Sequence, residues 1–149
     1  MSFSDNWDFF EAWRFEECPE LIRAVESGEI IFFSKKQSKI LWSILISSDK
    51  KHLMEMDMGF FSKVEKNNVD FQNNKSADNI FEKFNEMISP SKFVFLFFSE
   101  SYLCITPFSL LHKYWNEFFL PSDETTIVTT VGNDNFLFSY EESFFIAKK

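Results

Sequence analysis

Only two histidines occur in the 149-residue chain, and neither stands in a pattern that proton transfer or metal binding would need. His52 belongs to the run His52-Leu-Met-Glu55-Met-Asp57, whose single imidazole and two carboxylates are fewer ligands than zinc or a hard cation usually takes. His112 falls on the polar side of a predicted helix and is expected to be an ordinary surface residue. We therefore predict no catalytic residue and no metal site.

The two cysteines, Cys18 and Cys104, have no CxxC spacing and are too few for a disulfide framework. Cys18 stands between Glu17 and Pro19, and Cys104 stands inside an apolar run, two settings that raise the pKa of a thiol and make it inert. The three glycines lie far apart, so that no phosphate-binding loop is formed. The sequence predicts a protein that is not an enzyme and uses no cofactor.

The chain begins without the basic and apolar regions of a secretory signal, and no apolar run approaches the ~20 residues of a membrane span. Free thiols suit a reducing compartment. We therefore expect a cytoplasmic protein.

Acidic side chains are the remaining candidates for function. The chain carries a net charge of -8, and its first 29 residues hold eight acidic and only two basic side chains. This charge disfavours nucleic acid and anionic membranes as partners, because both are polyanions, and it favours a basic protein. The same charge would also serve simply to keep a Phe-rich protein in solution. The candidate partner-binding residues are Asp5, Asp8, Glu11, Glu16, Glu17, Glu20, Asp123, Glu124, Glu141 and Glu142.

Apolar periodicity in the first half predicts mainly helices. Residues 5–15 favour a short helix, Pro19 begins a second helix that Gly28 stops, and residues 29–33 favour a strand. Ser34 is expected to cap a helix through the apolar residues Ile40, Leu41, Ile44 and Leu45, although Ile40, Trp42, Ile44 and Ile46 also alternate as a strand would. Of the tryptophans, Trp42 and Trp115 are expected in the core, whereas Trp7 and Trp13 are either core residues or interface anchors.

Residues 49–75 are polar and rich in Lys and Asn, which predicts turns or a mobile excursion. Ser76 is then expected to cap a helix that ends before Pro90. The apolar positions of this helix follow one face, at Ile80, Phe81, Phe84, Met87 and Ile88.

The second half predicts an antiparallel sheet. Residues 93–98 and 102–105 form two apolar runs that suit a hairpin, and residues 125–131, 135–140 and 143–147 suit a three-stranded meander. Between them, a helix over residues 107–119 is expected to pack Phe108, Leu111 and Trp115 on the sheet. Helices first and antiparallel strands later indicate an α+β fold, in one domain over residues 1–149.

Two blocks near the end of the chain carry a family resemblance. Tyr114-Trp-Asn-Glu-Phe-Phe-Leu-Pro-Ser-Asp-Glu124 and Phe136-Leu-Phe-Ser-Tyr-Glu-Glu-Ser-Phe-Phe-Ile146 are similar to the C-terminal part of small bacterial immunity proteins. Those proteins accompany polymorphic toxins, including contact-dependent growth inhibition systems. The resemblance implies a cytosolic antidote that binds and neutralises a basic toxin domain, often a nuclease. The alternative is a non-enzymatic adaptor or regulatory domain with an aromatic pocket for a peptide or small ligand.

Overall fold

A computed structural model describes residues 12–52, 60–123, 125–132 and 134–149, without the side chains of residues 12 and 13, and its fold is α+β. Its strands are β1 (Ile31–Phe32), β2 (Lys63–Asn68), β3 (Phe93–Ser99), β4 (Tyr102–Pro107), β5 (Ile127–Thr129), β6 (Asn135–Tyr140) and β7 (Ser143–Lys148). Its helices are α1 (Pro19–Glu26), α2 (Lys35–Leu45), α3 (Asp78–Ile88), α4 (Phe108–Lys113) and α5 (Trp115–Phe118). Two 3-10 turns, Ala12–Phe15 and Asn74–Ala77, precede α1 and α3.

All the described strands join one antiparallel sheet in the order β1-β4-β3-β5-β6-β7-β2. The predicted hairpin is β3-β4, and the predicted meander is β5-β6-β7, so both predictions are confirmed. The expectation of turns or a mobile excursion within residues 49–75 is wrong for residues 63–68, which form β2, an edge strand that pairs with β7 along six residue pairs.

Each face of the sheet has its own apolar core. One face, here called the four-helix face, is covered by α1, α3, α4 and α5 and includes the fully buried Phe81, Trp115 and Phe144. The other face, here called the α2 face, packs Trp42 of α2 against Phe97, Leu103 and their neighbours. The predicted core positions of Trp42 and Trp115 are therefore confirmed.

The start of α2 follows the sequence closely. Ser34 Oγ accepts a hydrogen bond from the Gln37 backbone N–H, while the Gln37 side chain accepts one from the Ser34 N–H, which is a capping box. The buried side of the helix is nevertheless formed by Ser38 and Trp42. Of the expected apolar side, Leu41 and Leu45 are half-buried against the core cluster of the α2 face, whereas Ile40 and Ile44 are 51% and 70% exposed.

Two other helix boundaries differ from expectation. Ser76 does not cap α3: its hydroxyl bonds the backbone of Asp70, and α3 begins two residues later with Ala77 at the N-cap. The predicted helix over residues 107–119 is divided at Tyr114 into α4 and α5. Its apolar face is as predicted, since Phe108, Leu111 and Trp115 are all buried.

The predicted helix over residues 5–15 lies mostly outside the described residues. Within the described residues no helix is long and apolar enough to cross a membrane.

Candidate protein-binding surface

A buried ion pair fixes the first described segment to the rest of the fold. Arg14 Nη1 and Nη2 donate to the Asp123 carboxylate at 2.7 and 2.9 Å, and both side chains are at most 10% exposed. Arg14 also donates to the Phe118 carbonyl, while Asp123 accepts a hydrogen bond from the Leu120 N–H. The carboxylate of Asp123 therefore serves the fold, and among the predicted contact residues that the structure describes it is the one with an internal role.

Beside this ion pair, several acids crowd around the start of α1. Three of the predicted contact residues, Glu16, Glu17 and Glu20, are exposed. The pKa of Glu117, on α5, is raised by partial burial and then by the negative charge of Glu17. Burial also raises the pKa of the Cys18 thiol, with the charges of Glu117 and Glu20 adding to the effect. On this surface, the acidic side chains carry more negative charge than the neighbouring cations offset.

The turn between β6 and β7 carries two further predicted acids, Glu141 and Glu142. Both are exposed, and their φ angles are +50° and +62°. A two-residue turn with both residues at positive φ is strongly selective for Asn and Gly, because a side chain such as Glu is strained there. Two glutamates therefore occupy positions that local backbone preference would give to other residues.

The sheet register brings these acids to one end of the molecule. Phe97, Ile127 and Phe138 lie in one row across β3, β5 and β6. Glu100 in the β3-β4 turn, Asp123 before β5 and the Glu141-Glu142 turn therefore stand at the same end of the sheet. Arg14, whose guanidinium carbon lies 4.8 Å from the centre of the Phe98 ring, places the start of α1 there too. We call this region the acidic end; its exposed or half-exposed acids are Glu16, Glu17, Glu20, Glu100, Glu117, Glu141 and Glu142.

The remaining predicted contact residues, Asp5, Asp8, Glu11 and Glu124, lie outside the described residues, as does Trp7. Sequence reasoning missed Glu117 and Glu100, which lack acidic neighbours in the sequence. Only the packing of α5 against the Ala12–Phe15 turn and the strand register show where these two belong.

His112 is only partly at the surface. Its ring stacks on Phe81 with centroids 5.3 Å apart, and Nε2 lies 3.1 Å from Asp78 Oδ1. It lines a groove of about 460 Å³ together with Phe108 of the four-helix face and Phe93 at the start of β3. Within the described part of the chain, no three His, Cys, Asp or Glu side chains are grouped to hold a metal ion.

Comparison with protein-family models, curated protein sequences and solved structures gave no match to this chain. The likeness of residues 114–146 to immunity proteins therefore stays a prediction.

Proposed function

We propose that this protein is an antidote that binds and neutralises a basic toxin domain, of nuclease type, in the cytosol, and that the acidic end is the contact surface. The observation that best supports this function is the Glu141-Glu142 turn. Positive φ at a non-glycine residue costs on the order of 1 kcal/mol or more. Glutamate at both positions favours a role for the two carboxylates outside the fold.

The charge crowding at Glu117 supports the same interpretation. Its carboxyl is harder to ionise than usual because burial and Glu17 both oppose its negative charge. A lysine or arginine of a partner placed between the two carboxylates would relieve this repulsion, so part of the binding energy would come from strain already present in the unbound protein. A basic toxin that grips phosphate carries such cations where its substrate binds.

The test is co-expression with the toxin domain encoded next to this protein, followed by binding measurements at low and high salt. The informative variant removes two charges at the acidic end, Glu17→Gln with Glu117→Gln. The matched control removes two charges from exposed positions of α3, Glu82→Gln with Glu86→Gln. We expect the first variant to bind at least about 10-fold more weakly, and the control to retain affinity and change only the salt dependence.

Two results would contradict the proposal. If the wild-type chain neither protects cells nor binds the toxin, the antidote function fails. If it binds but both double variants behave alike, the acidic end is not the contact surface.

A ligand-binding adaptor is the second candidate, and the groove beside Phe93, Phe108 and His112 favours it. Asn85 lines this groove and is exposed, so that Asn85→Trp should fill the groove without disturbing the core. A partner that is lost with Asn85→Trp and retained by the acidic-end variant would support the adaptor instead.

A further inference from the structure

The exposed large hydrophobic side chains are not scattered over the surface. Among the described residues they are Ile31, Ile40, Ile44, Val64, Phe93 and Val131, each between 48% and 70% exposed. Ile40 and Ile44 lie on α2, and Ile31, Val64 and Phe93 share the α2 side of the sheet by strand alternation and register. Val131 follows β5, next to the start of β3. None of the proposed acidic contacts uses this side of the molecule.

The α2 face is covered over only part of its width. Trp42 packs α2 on Phe97 and Leu103, whereas, in the part of the chain that the structure describes, no helix covers the start of β3 or the neighbouring parts of β1 and β4 on this side. The uncovered part is a recess of about 590 Å³ lined by Ile31, Phe93, Phe95, Ile105, Pro107 and residues 27–29. The four-helix face has no such gap at its centre, where Phe81, Trp115 and Phe144 are fully buried.

Beside the recess, α2 stands above the sheet as a ridge, with Ile40 and Ile44 at its crest. A helix is about 10 Å across, so the crest rises by roughly that height over the recess floor. Leu41 and Leu45 of α2 and Phe95 of the recess are half-buried and pack on one core cluster, so the helix and the recess present apolar side chains on the same side of the sheet. A ridge and a recess on one surface are what a two-fold interface requires, because each copy must present both halves of the contact.

The size of this surface suits a dimer. Taking ~200 Å² for a fully exposed large side chain, Ile31, Ile40, Ile44, Phe93 and Val131 together present on the order of 500 Å² of apolar surface. That is near the upper end for the largest apolar patch on a monomer. With the half-buried Phe95, Ile105, Leu41 and Leu45, the area approaches the ~800 Å² per partner of a stable interface.

The ridge and the recess carry charges of opposite sign. The ridge helix contains Lys35, Lys36 and Lys39 and no acidic residue. Glu29 lies on the rim of the recess and is exposed. A second copy would therefore bring lysines of its ridge towards an acid on the recess, although each whole chain is negative.

We propose that two copies of this chain associate through the α2 face, with Ile40 and Ile44 of each copy seated in the Ile31-Phe93-Ile105 recess of the other. This dimer covers five of the six exposed large hydrophobic side chains of the described residues. It leaves the acidic end of each copy open to solvent.

Sedimentation velocity and native mass spectrometry of the full chain, between about 1 and 100 μM, test the association. The wild type is expected to sediment as a dimer. Ile40→Gln with Ile44→Gln on the ridge, and separately Ile31→Gln in the recess, should weaken association at least about 30-fold, the loss typical of an interface hot spot. Val64→Gln is the matched control, because Val64 is exposed on the same side but lies on the opposite edge strand, β2, and it should leave the dimer intact.

Cross-linking tests the arrangement. Chains carrying Ile44→Cys are mixed with ¹⁵N-labelled chains carrying Ile31→Cys and treated with a short bismaleimide. The native Cys18 and Cys104 are buried and have raised thiol pKa values, so the unmodified protein gives the background. The dimer predicts mixed products that join residue 44 of one copy to residue 31 of the other.

A wild type that remains monomeric at 100 μM overturns the proposal, as does a dimer that survives both ridge and recess variants. Products joining only residue 44 to residue 44 would also overturn it, because they indicate helix-to-helix contact without the recess. If the monomer instead binds vesicles or another protein and loses that binding with Ile44→Gln, the surface has a different occupant. Thermal unfolding of each variant excludes misfolding as the cause of a lost dimer.

Discussion

The Arg14-Asp123 ion pair is predicted to contribute more to stability than any exposed pair in the described structure. Asp123→Asn keeps the shape of the side chain and a carbonyl oxygen that can still accept from the Leu120 N–H. It removes the charge that balances Arg14, whose side chain is only 6% exposed. Since the substitution breaks the two charge-assisted hydrogen bonds that Arg14 donates to the buried carboxylate at 2.7 and 2.9 Å, we expect the free energy of unfolding to fall by about 3–5 kcal/mol.

The Lys83-Glu65 pair provides the control. Its N···O distance is 2.6 Å, as short as the buried pair, but the two side chains are 51% and 49% exposed. Water and salt screen such a pair, so Glu65→Gln should cost less than about 1 kcal/mol. The comparison separates the effect of burial from the effect of distance.

Urea unfolding followed by tryptophan fluorescence measures both variants, since Trp42 and Trp115 report one on each face of the sheet. The double variant Arg14→Met with Asp123→Asn should be less destabilised than the sum of its single variants, because both single variants remove the same ion pair. An Asp123→Asn cost below about 1 kcal/mol, or costs that simply add in the double variant, would refute the reasoning.

Trp115→Phe should lower the unfolding free energy by about 1–3 kcal/mol in the same urea assay, because the indole N–H donates a 2.7 Å hydrogen bond to a backbone carbonyl that would be left unpaired. Replacing Glu141-Glu142 by Asn-Gly should raise stability by about 1 kcal/mol through relief of the positive-φ strain, yet weaken binding of the partner; a variant that gains no stability contradicts the strain argument. Glu117→Gln should stabilise the protein by less than about 1 kcal/mol at pH 7. The folded-state pKa of Glu117 is raised, so its ionised form opposes folding above that pKa, and urea titrations should show the advantage of Gln disappearing as the pH falls below 4.5. An advantage that persists at low pH would show that charge is not its cause.

Local signals in the sequence were sufficient to predict most of the helices and strands. Pro19 and Gly28 bound α1 as expected, because one residue fits the first helical turn and the other takes the positive φ that ends it. The apolar runs of β3 and β4 likewise identify a hairpin, since their pairing is local.

The prediction errors arise where long-range packing decides which residues form a strand and which side of a helix is buried. β2 reads Lys-Val-Glu-Lys-Asn-Asn and has little apolar alternation, because it lies at the sheet edge and is mostly exposed on both faces. Its pairing with β7 joins residues about 80 positions apart, which no local pattern records. The exposure of Ile40 and Ile44 has the same origin: α2 was identified, but the side that packs is set by the sheet.

The acidic end shows the same limit. Glu17, Glu141 and Glu142 were predicted as contact residues from their charge alone. Their common location depends on the strand register and on the position of Arg14. Asp123 was a predicted contact residue because of its charge, but the structure shows it as the buried ion-pair partner of Arg14.

The order of the strands also bears on how the chain is made. The first half contributes only the edge strands β1 and β2, while the five inner strands come from residues 93–148. At roughly 5–20 residues per second, Trp42 and the residues around it leave the ribosome some 5–20 s before the last strand they help to cover. The first half of the nascent chain therefore keeps its aromatic side chains exposed until the second half has been synthesised. We expect its synthesis to depend on chaperones that hold the early segments until β7 has emerged.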